Sequence, residues 1–147
     1  MSIWSKLNHF HQGEKWGNKD KVNGLLLLIL DIITDRIKQY SWEKYRKISP
    51  CIIHCAYETS GHSTHSQHYK GNAADFHFEN IPLPEAYSII LSVLMEYQVE
   101  EFIGLGVYPG WNTPGFHLDV RGEKARWSRI NGIYRGIEDF LNHLNKT

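Results

Sequence analysis

The sequence predicts a single α+β domain built around a small antiparallel sheet, and three observations support this fold class. Apolar residues recur at helical spacing over about 22–45 and 83–97. Short apolar segments typical of strands occur at 51–57, 73–78, 102–107 and 116–120. Helices and strands do not alternate regularly, which favours α+β over a doubly wound fold. No linker or repeat interrupts the chain, so we treat 1–147 as one domain.

Each element has its own signal in chain order. Residues 1–10 can form a short helix with Ile3, Trp4, Leu7 and Phe10 on one side. The leucine run at 25–30 belongs to the core face of the helix over 22–45. Pro82 and Pro84 mark the start of the second long helix. A further short strand is expected around Trp127, and 137–144 is expected to close the chain as a helix.

Charge and hydropathy exclude several classes of protein. The 147 residues carry 16 Lys+Arg against 16 Asp+Glu, which argues against a protein that binds nucleic acid or anionic lipid by bulk charge. The longest apolar run has six residues, whereas about 20 are needed to span a bilayer, so we expect no membrane insertion. Residues 1–20 lack the pattern of a Sec signal peptide, and synthesis in the cytoplasm is therefore expected.

Histidine is the one residue type in surplus. Five of the nine histidines fall between positions 54 and 77, and the residues from 58 to 72 are almost entirely polar. Histidine is the commonest metal ligand in proteins, and a long polar segment in a compact domain is often a functional loop. The composition therefore indicates a local site.

The two cysteines, Cys51 and Cys55, lie in one apolar segment. In a strand their Cα atoms would be about 13 Å apart, which is too far for a disulfide. We expect two buried, reduced thiols and a reducing compartment.

Two predicted strands each carry a polar face. Alternation places Asp75 with His77, and His117 with Asp119. His68 lies seven residues before Asp75 in the polar loop. A catalytic Zn²⁺ site needs three protein ligands and an open fourth position, and His68, Asp75 and His117 would supply two imidazoles and one carboxylate. The alternative is a loop of solvated histidines beside hydrogen-bonded polar residues.

The segment from Ser66 to Asp75 resembles the SxHxxGxAxD signature of the zinc D-Ala-D-Ala carboxypeptidases and phage L-alanyl-D-glutamate endolysins. Their superfamily shares its fold with the hedgehog signalling domain. Tyr108-Pro109 followed by the segment 116–120 resembles the second motif of the peptidase branch, and the leucine-rich helix also fits. The resemblance spans most of the chain. It implies a hedgehog/DD-peptidase-like fold whose small sheet carries the zinc site between flanking helices.

The same resemblance implies a function. His68, Asp75 and His117 would bind one Zn²⁺ per chain, and a metal-activated water would cleave the peptide stem of bacterial peptidoglycan. The absence of a signal peptide fits a phage or prophage lysin that reaches the wall through a holin-made lesion, although a host protein with another export route remains an alternative. A monomer is expected.

Three departures from the family pattern qualify this expectation. Pro114 stands where the family often has its general base, so Asp119 is either the substitute base or a carboxylate that orients a ligand histidine. Glu58 stands where a substrate-binding arginine is common, which favours an endopeptidase over a carboxypeptidase unless Arg121 or Lys70 compensates. The segment between Tyr57 and the first motif is shorter than usual.

Six further residues are candidates for substrate contact: Ser66, His62, His65, Tyr108, Trp111 and Arg121. The loop histidines could stabilise an oxyanion or simply be solvated, and the two aromatic residues could form a cleft wall or pack within a turn. His77 could contact a metal ligand. We expect Ser66 to brace the loop and not to act as a nucleophile.

Two other functions compete with a peptidase. One is a catalytically inactive, zinc-stabilised module of the same fold that binds peptidoglycan or a protein, which the proline at position 114 favours. The other is a histidine-rich metal-binding or pH-responsive protein with no specificity for the cell wall.

Overall fold

The computed structural model describes residues 2–145, which form an α+β fold with three α-helices and one six-stranded sheet. The helices are α1 (Gly24–Tyr45), α2 (Leu83–Glu96) and α3 (Ile137–Asn145). The strands are β1 (Cys51–Cys55), β2 (Ala73–Phe78), β3 (Gly104–Tyr108), β4 (Gly115–Asp119), β5 (Ala125–Ile130) and β6 (Ile133–Gly136). The strand order in the sheet is β1-β2-β4-β3-β5-β6.

The three helices predicted beyond residue 20 are confirmed. The side chain of Asn23 caps α1 by accepting a hydrogen bond from the Leu25 amide, and Arg46 ends the helix in the left-handed conformation at φ 55°. Pro84 lies in the first turn of α2, where its missing N–H costs nothing.

The helix predicted over 1–10 is wrong. Only Ile3–Lys6 form a 3₁₀ turn, and the chain continues in an extended conformation at Leu7. The carboxylate of Asp31 in α1 accepts hydrogen bonds from the amides of Asn8 and His9, which ties the segment to α1 in a non-helical path.

The sheet is mixed, so the prediction of an antiparallel sheet is wrong for one pair of strands. β3 pairs with β4 antiparallel and with β5 parallel. β4 and β5 lie on opposite sides of β3. β4 runs antiparallel to β3, and the short connection after β4 reverses the chain, so β5 runs in the same direction as β3. The sequence did not indicate β6, because all four of its residues are exposed and show no apolar alternation.

One face of the sheet packs against α1 and α2. Apolar side chains from β2, β4 and the two helices form a single buried cluster that includes Phe76, Phe116, Leu118, Leu30, Ile33, Ile90 and Leu94. Each such side chain contributes roughly 1.5–3 kcal/mol when it is fully buried. Because successive strand residues point to opposite faces, this packing fixes the polar residues of β2 and β4 on the other face. Within residues 2–145, no helix has both the length and the apolar composition to cross a bilayer.

Candidate metal centre

Strands β2 and β4 place two of the predicted ligands side by side. Asp75 and His117 are directly opposite each other in the antiparallel register. The residues next to them in sequence, Phe76 and Phe116, are buried in the core. Since successive strand residues point to opposite faces, the side chains of Asp75 and His117 project from the other face of the sheet.

A 3₁₀ turn, Gln67–Lys70, supplies the third predicted ligand, His68. The hydroxyl of Ser66 caps this turn by accepting a hydrogen bond from the His68 amide at 3.2 Å. Gly71 ends it at φ 73°, and a Cβ there would lie 1.8 Å from the carbonyl oxygen of Lys21. Only glycine fits this position, which explains physically why the turn ends in a glycine.

The three predicted ligands converge. Nε2 of His68 lies 3.2 Å from Oδ1 of Asp75, and Nδ1 of His117 lies 2.9 Å from the same oxygen. One ligand atom from each residue falls within 4.8 Å of the others, so the group could hold a metal ion.

The remaining ring nitrogens face hydrogen-bond acceptors. Nδ1 of His68 lies 2.7 Å from the carbonyl oxygen of Ala56, and Nε2 of His117 lies 2.7 Å from Oδ2 of Asp119. A carbonyl oxygen only accepts, so Nδ1 of His68 donates to Ala56. His117 lies between two carboxylates, and a neutral ring that binds a metal through Nδ1 carries its proton on Nε2, toward Asp119. The nitrogens that face Asp75 are therefore the ones left to bind a metal, as is usual for histidine ligands.

Asp119 lies on the far edge of the His117 ring from Asp75. Its side chain is fully buried, and both oxygens accept hydrogen bonds from the guanidinium of Arg121, at 2.8 and 2.7 Å. Both oxygens are thus engaged by Arg121 and His117. Of the two roles expected for Asp119, this geometry favours the carboxylate that orients a ligand histidine.

Charge complementarity keeps both carboxylates ionised. Burial raises the pKa of Asp75, but the adjoining imidazoles of His117 and His68 outweigh this effect and hold the pKa below its usual range. Burial likewise raises the pKa of Asp119, and hydrogen bonds from Arg121 and His117 bring it below the usual range. Burial lowers the pKa of His117, but Asp119 and Asp75 raise it overall. A metal at Nδ1 would therefore compete with a proton.

The three residues lie at the base of an open cleft of about 670 Å³, here called the metal cleft. All six residues predicted to contact substrate line it. Lys70, the other cation considered, is not among the described residues of its lining. Its lining residues are Gly61, His62, Ser63, His65, Ser66, Gln67, His68, Asp75, Tyr108, Trp111, His117, Arg121, Trp127, Arg129 and Tyr134.

Four aromatic side chains form one side of the metal cleft, here called the aromatic wall: Tyr108, Trp111, Trp127 and Tyr134. Trp111 stacks on Tyr108 with ring centroids 4.3 Å apart, and Nε1 of Trp127 donates to the Tyr108 hydroxyl at 3.0 Å. Tyr134 meets Tyr108 edge-on. Burial raises the pKa of Tyr108, so its hydroxyl stays protonated.

The polar loop forms the opposite side of the metal cleft. The ring of His62 stacks on His68 with centroids 4.1 Å apart, and the Tyr69 hydroxyl bonds to the backbone of His62 and holds it there. Burial lowers the pKa of His62, which favours a neutral imidazole. His77, considered as a contact of a metal ligand, instead bonds to His54 at 2.6 Å and to Glu79 at 3.3 Å.

Cys55 is the residue near the site that sequence reasoning missed. Both cysteines are free thiols and Cys51 is buried, as expected, but Cys55 is only half-buried. The register of β1 shifts between Ile53 and Cys55, which pairs Cys55 with Asp75 and brings its Sγ to 3.5 Å from Oδ2. With His62 and His68 it forms a second group that could hold a metal ion. The sequence carries no signal for this contact, because it depends on the register shift in β1.

Comparison of the chain with models of protein families, with curated proteins and with solved structures finds no match.

Proposed function

We propose that this chain is a zinc peptidase that cleaves the peptide stem of bacterial peptidoglycan. The observation that supports it most strongly is the convergence of His68, Asp75 and His117 at the base of an open cleft. These are the ligand positions that the SxHxxGxAxD motif and the second motif imply. A hedgehog/DD-peptidase-like fold is part of the proposal, supported by the α+β architecture and by the strands that carry the motifs.

Zinc is the proposed metal because of the donor set. Two neutral imidazoles and one carboxylate are typical of catalytic zinc sites, which keep a further position for water. Oxygen-rich sites would suit magnesium or calcium better. The bound metal would polarise the scissile carbonyl and lower the pKa of its water.

The remaining roles go to residues of the chain itself. Asp119 fixes the ring of His117 from behind, and Arg121 holds Asp119 in place. We assign Asp119 to this positioning role, since its contacts direct it away from the metal cleft. His62 faces the cleft beside His68, and its neutral imidazole is our proposed proton acceptor. Tyr108 and Trp111 would pack against the substrate chain.

The proposal extends to where and how the protein acts. We propose a lysin of phage or prophage origin that is made in the cytoplasm and reaches the cell wall through a holin-made lesion. Endopeptidase action is favoured over carboxypeptidase action, because Glu58 replaces the arginine expected for a terminal carboxylate. We propose that the chain acts as a monomer.

A second candidate is an inactive, zinc-stabilised module that binds peptidoglycan or a protein. One observation favours it: Asp75 is the only acidic side chain among the described residues that line the metal cleft. A peptidase without a carboxylate base would depend on His62, whereas a binding module would need no base.

Mass spectrometry of muropeptides separates these candidates. Purified peptidoglycan is digested with the zinc-loaded protein and with His68→Ala, and the products are identified by mass. Cleavage of a stem bond by the wild type and not by the variant supports the peptidase and names the bond. Stoichiometric zinc without any cleaved stem peptide would support the binding module instead.

A further inference from the structure

The metal cleft is lined by charged side chains of both signs. Its described lining contains two arginines, Arg121 and Arg129, and one carboxylate, Asp75. Because Arg121 is paired with Asp119, the remaining charges of the lining are Arg129 and Asp75, and a divalent ion bound to Asp75 would make this balance positive. A cleft of this kind attracts an anionic ligand group.

The two arginines differ in whether their charge is already paired with a carboxylate of the chain. Arg121 forms a two-point ion pair with buried Asp119 and is neutralised by it. Arg129 forms no ion pair with any acidic side chain in the part of the chain that the structure describes. It is therefore the cation whose charge remains available to a ligand.

The β5–β6 hairpin holds Arg129 in place. Arg129 and Tyr134 are cross-strand partners, and the guanidinium carbon lies 4.9 Å from the centre of the Tyr134 ring. Nε donates to the carbonyl oxygen of Gly132 at 3.3 Å. Among the side chains and backbone groups that the structure describes, the two terminal nitrogens have no hydrogen-bond partner. A guanidinium presents such nitrogens as a fork that matches a carboxylate.

We propose that Arg129 binds a carboxylate of the peptide substrate, at the end of the aromatic wall. This inference rests on the proposed function for the identity of the peptide. Two carboxylates of a stem peptide could fill the role, the α-carboxylate of a γ-linked D-glutamate or the carboxylate at the C-terminus. The hairpin thus sets specificity for an acidic peptide.

Three peptides distinguish these sources. L-alanyl-γ-D-glutamyl-L-lysine is compared with its D-glutamate α-carboxamide and with its C-terminal carboxamide. Binding to the zinc-loaded protein is followed by tryptophan fluorescence after rapid mixing, because Trp111 and Trp127 lie in the aromatic wall. Products are then measured separately to obtain kcat and KM.

The variants are Arg129→Gln and Arg129→Lys, with Arg135→Gln as the matched control. Arg135 lies on the same hairpin but pairs with Asp139 at 3.6 Å and is not among the described residues lining the cleft. We expect the wild type and Arg135→Gln to bind the parent peptide about tenfold more tightly than one carboxamide, as for a hydrogen bond to a charged group. Arg129→Gln should abolish this preference by weakening the parent, and Arg129→Lys should restore part of it.

The peptide that loses affinity identifies the carboxylate. The inference is overturned if the wild type does not discriminate between the peptides, or if Arg129→Gln discriminates as the wild type does. Failure of the proposed function gives a different pattern. Binding that depends on Arg129, without any cleavage, would retain the carboxylate site and leave a binding module.

Discussion

The ring of His117 bridges two carboxylates, with Nδ1 2.9 Å from Asp75 and Nε2 2.7 Å from Asp119. Asp119 has both oxygens engaged by Arg121 as well, and it is fully buried. The ring is thus held in one orientation. The role of Asp119 as a positioning residue leads directly to the first prediction.

Replacing Asp119 with Asn should weaken zinc binding about 10- to 100-fold, as loss of a partner of a metal-ligating histidine typically does. The affinity can be measured by competition with a chromogenic chelator. Asp20→Asn, at an exposed position, is the matched control and should bind zinc like the wild type. Unchanged zinc affinity combined with loss of peptide cleavage would instead assign Asp119 as the general base.

Replacing Gly104 with Ala should disturb the same pair without touching a ligand. A Cβ at this position would lie 2.6 Å from Oδ1 of Asp119 and 2.7 Å from Nε of Arg121. We expect weaker zinc binding and a loss of about 1–3 kcal/mol in the free energy of unfolding, typical of overpacking. Denaturant unfolding measures the second effect. Gly24→Ala, whose added Cβ meets nothing within 4 Å, is the control, and an equal effect of both variants would refute the explanation.

Much of the candidate centre followed from strand alternation alone. The bounds of β2 were predicted as observed, and alternation correctly placed Asp75 and His117 on the polar faces of two strands. The apolar residues that alternate with Asp75 and His117 along the two strands must face the core, so the polar residues must lie on the opposite face of the sheet. His68 lies in a loop, where alternation does not apply, and it was proposed from its spacing to Asp75 and from the resemblance of the segment from Ser66 to Asp75 to the SxHxxGxAxD signature.

The parts that were missed depend on long-range pairing. β5 pairs in parallel with β3 because the other edge of β3 is already paired with β4. The sequence of β5 alone does not indicate which strand it will pair with. Exposed β6 has no apolar pattern, although it positions Tyr134 beneath Arg129. The contact between Cys55 and Asp75 depends on a register shift in β1, which strict alternation would not predict.

His62→Gln tests the proposed proton acceptor. The variant should retain zinc, since His68, Asp75 and His117 are intact, and should lose cleavage about 10²- to 10⁴-fold, the usual contribution of a general base. Zinc content and the rate of muropeptide cleavage are measured on the same preparation. His11→Gln is the control outside the metal cleft. Cleavage at the wild-type rate by His62→Gln would remove His62 from the mechanism.

Glu85 should make stability depend on pH in the acid range. Its carboxylate on α2 bonds to Lys44, Tyr40 and Tyr45 of α1, and these hydrogen bonds lower the pKa of Glu85 from 4.5 to about 2. A carboxyl group whose pKa is lower in the folded state than in the unfolded state stabilises the folded state at pH values above its unfolded pKa. This contribution is therefore present above about pH 4.5 and should disappear as the pH falls towards 2.

The measurement is the free energy of unfolding against pH for the wild type and Glu85→Gln. The two curves should differ above pH 4.5 and converge as the pH falls towards 2. The difference will be limited, because solvent screens partly exposed pairs. Glu43→Gln, at an exposed position on α1, should follow the wild type throughout. Parallel curves for the wild type and Glu85→Gln would contradict the assigned ion pair.

The central claim is that His68, Asp75 and His117 together hold one zinc ion, and elemental analysis tests it most directly. Wild-type protein and His117→Ala are exposed to one equivalent of zinc, freed of loose metal by gel filtration and analysed by mass spectrometry. We predict one zinc per wild-type chain and far less than one in the variant. Equal zinc content in the two proteins, or none in the wild type, would contradict the claim.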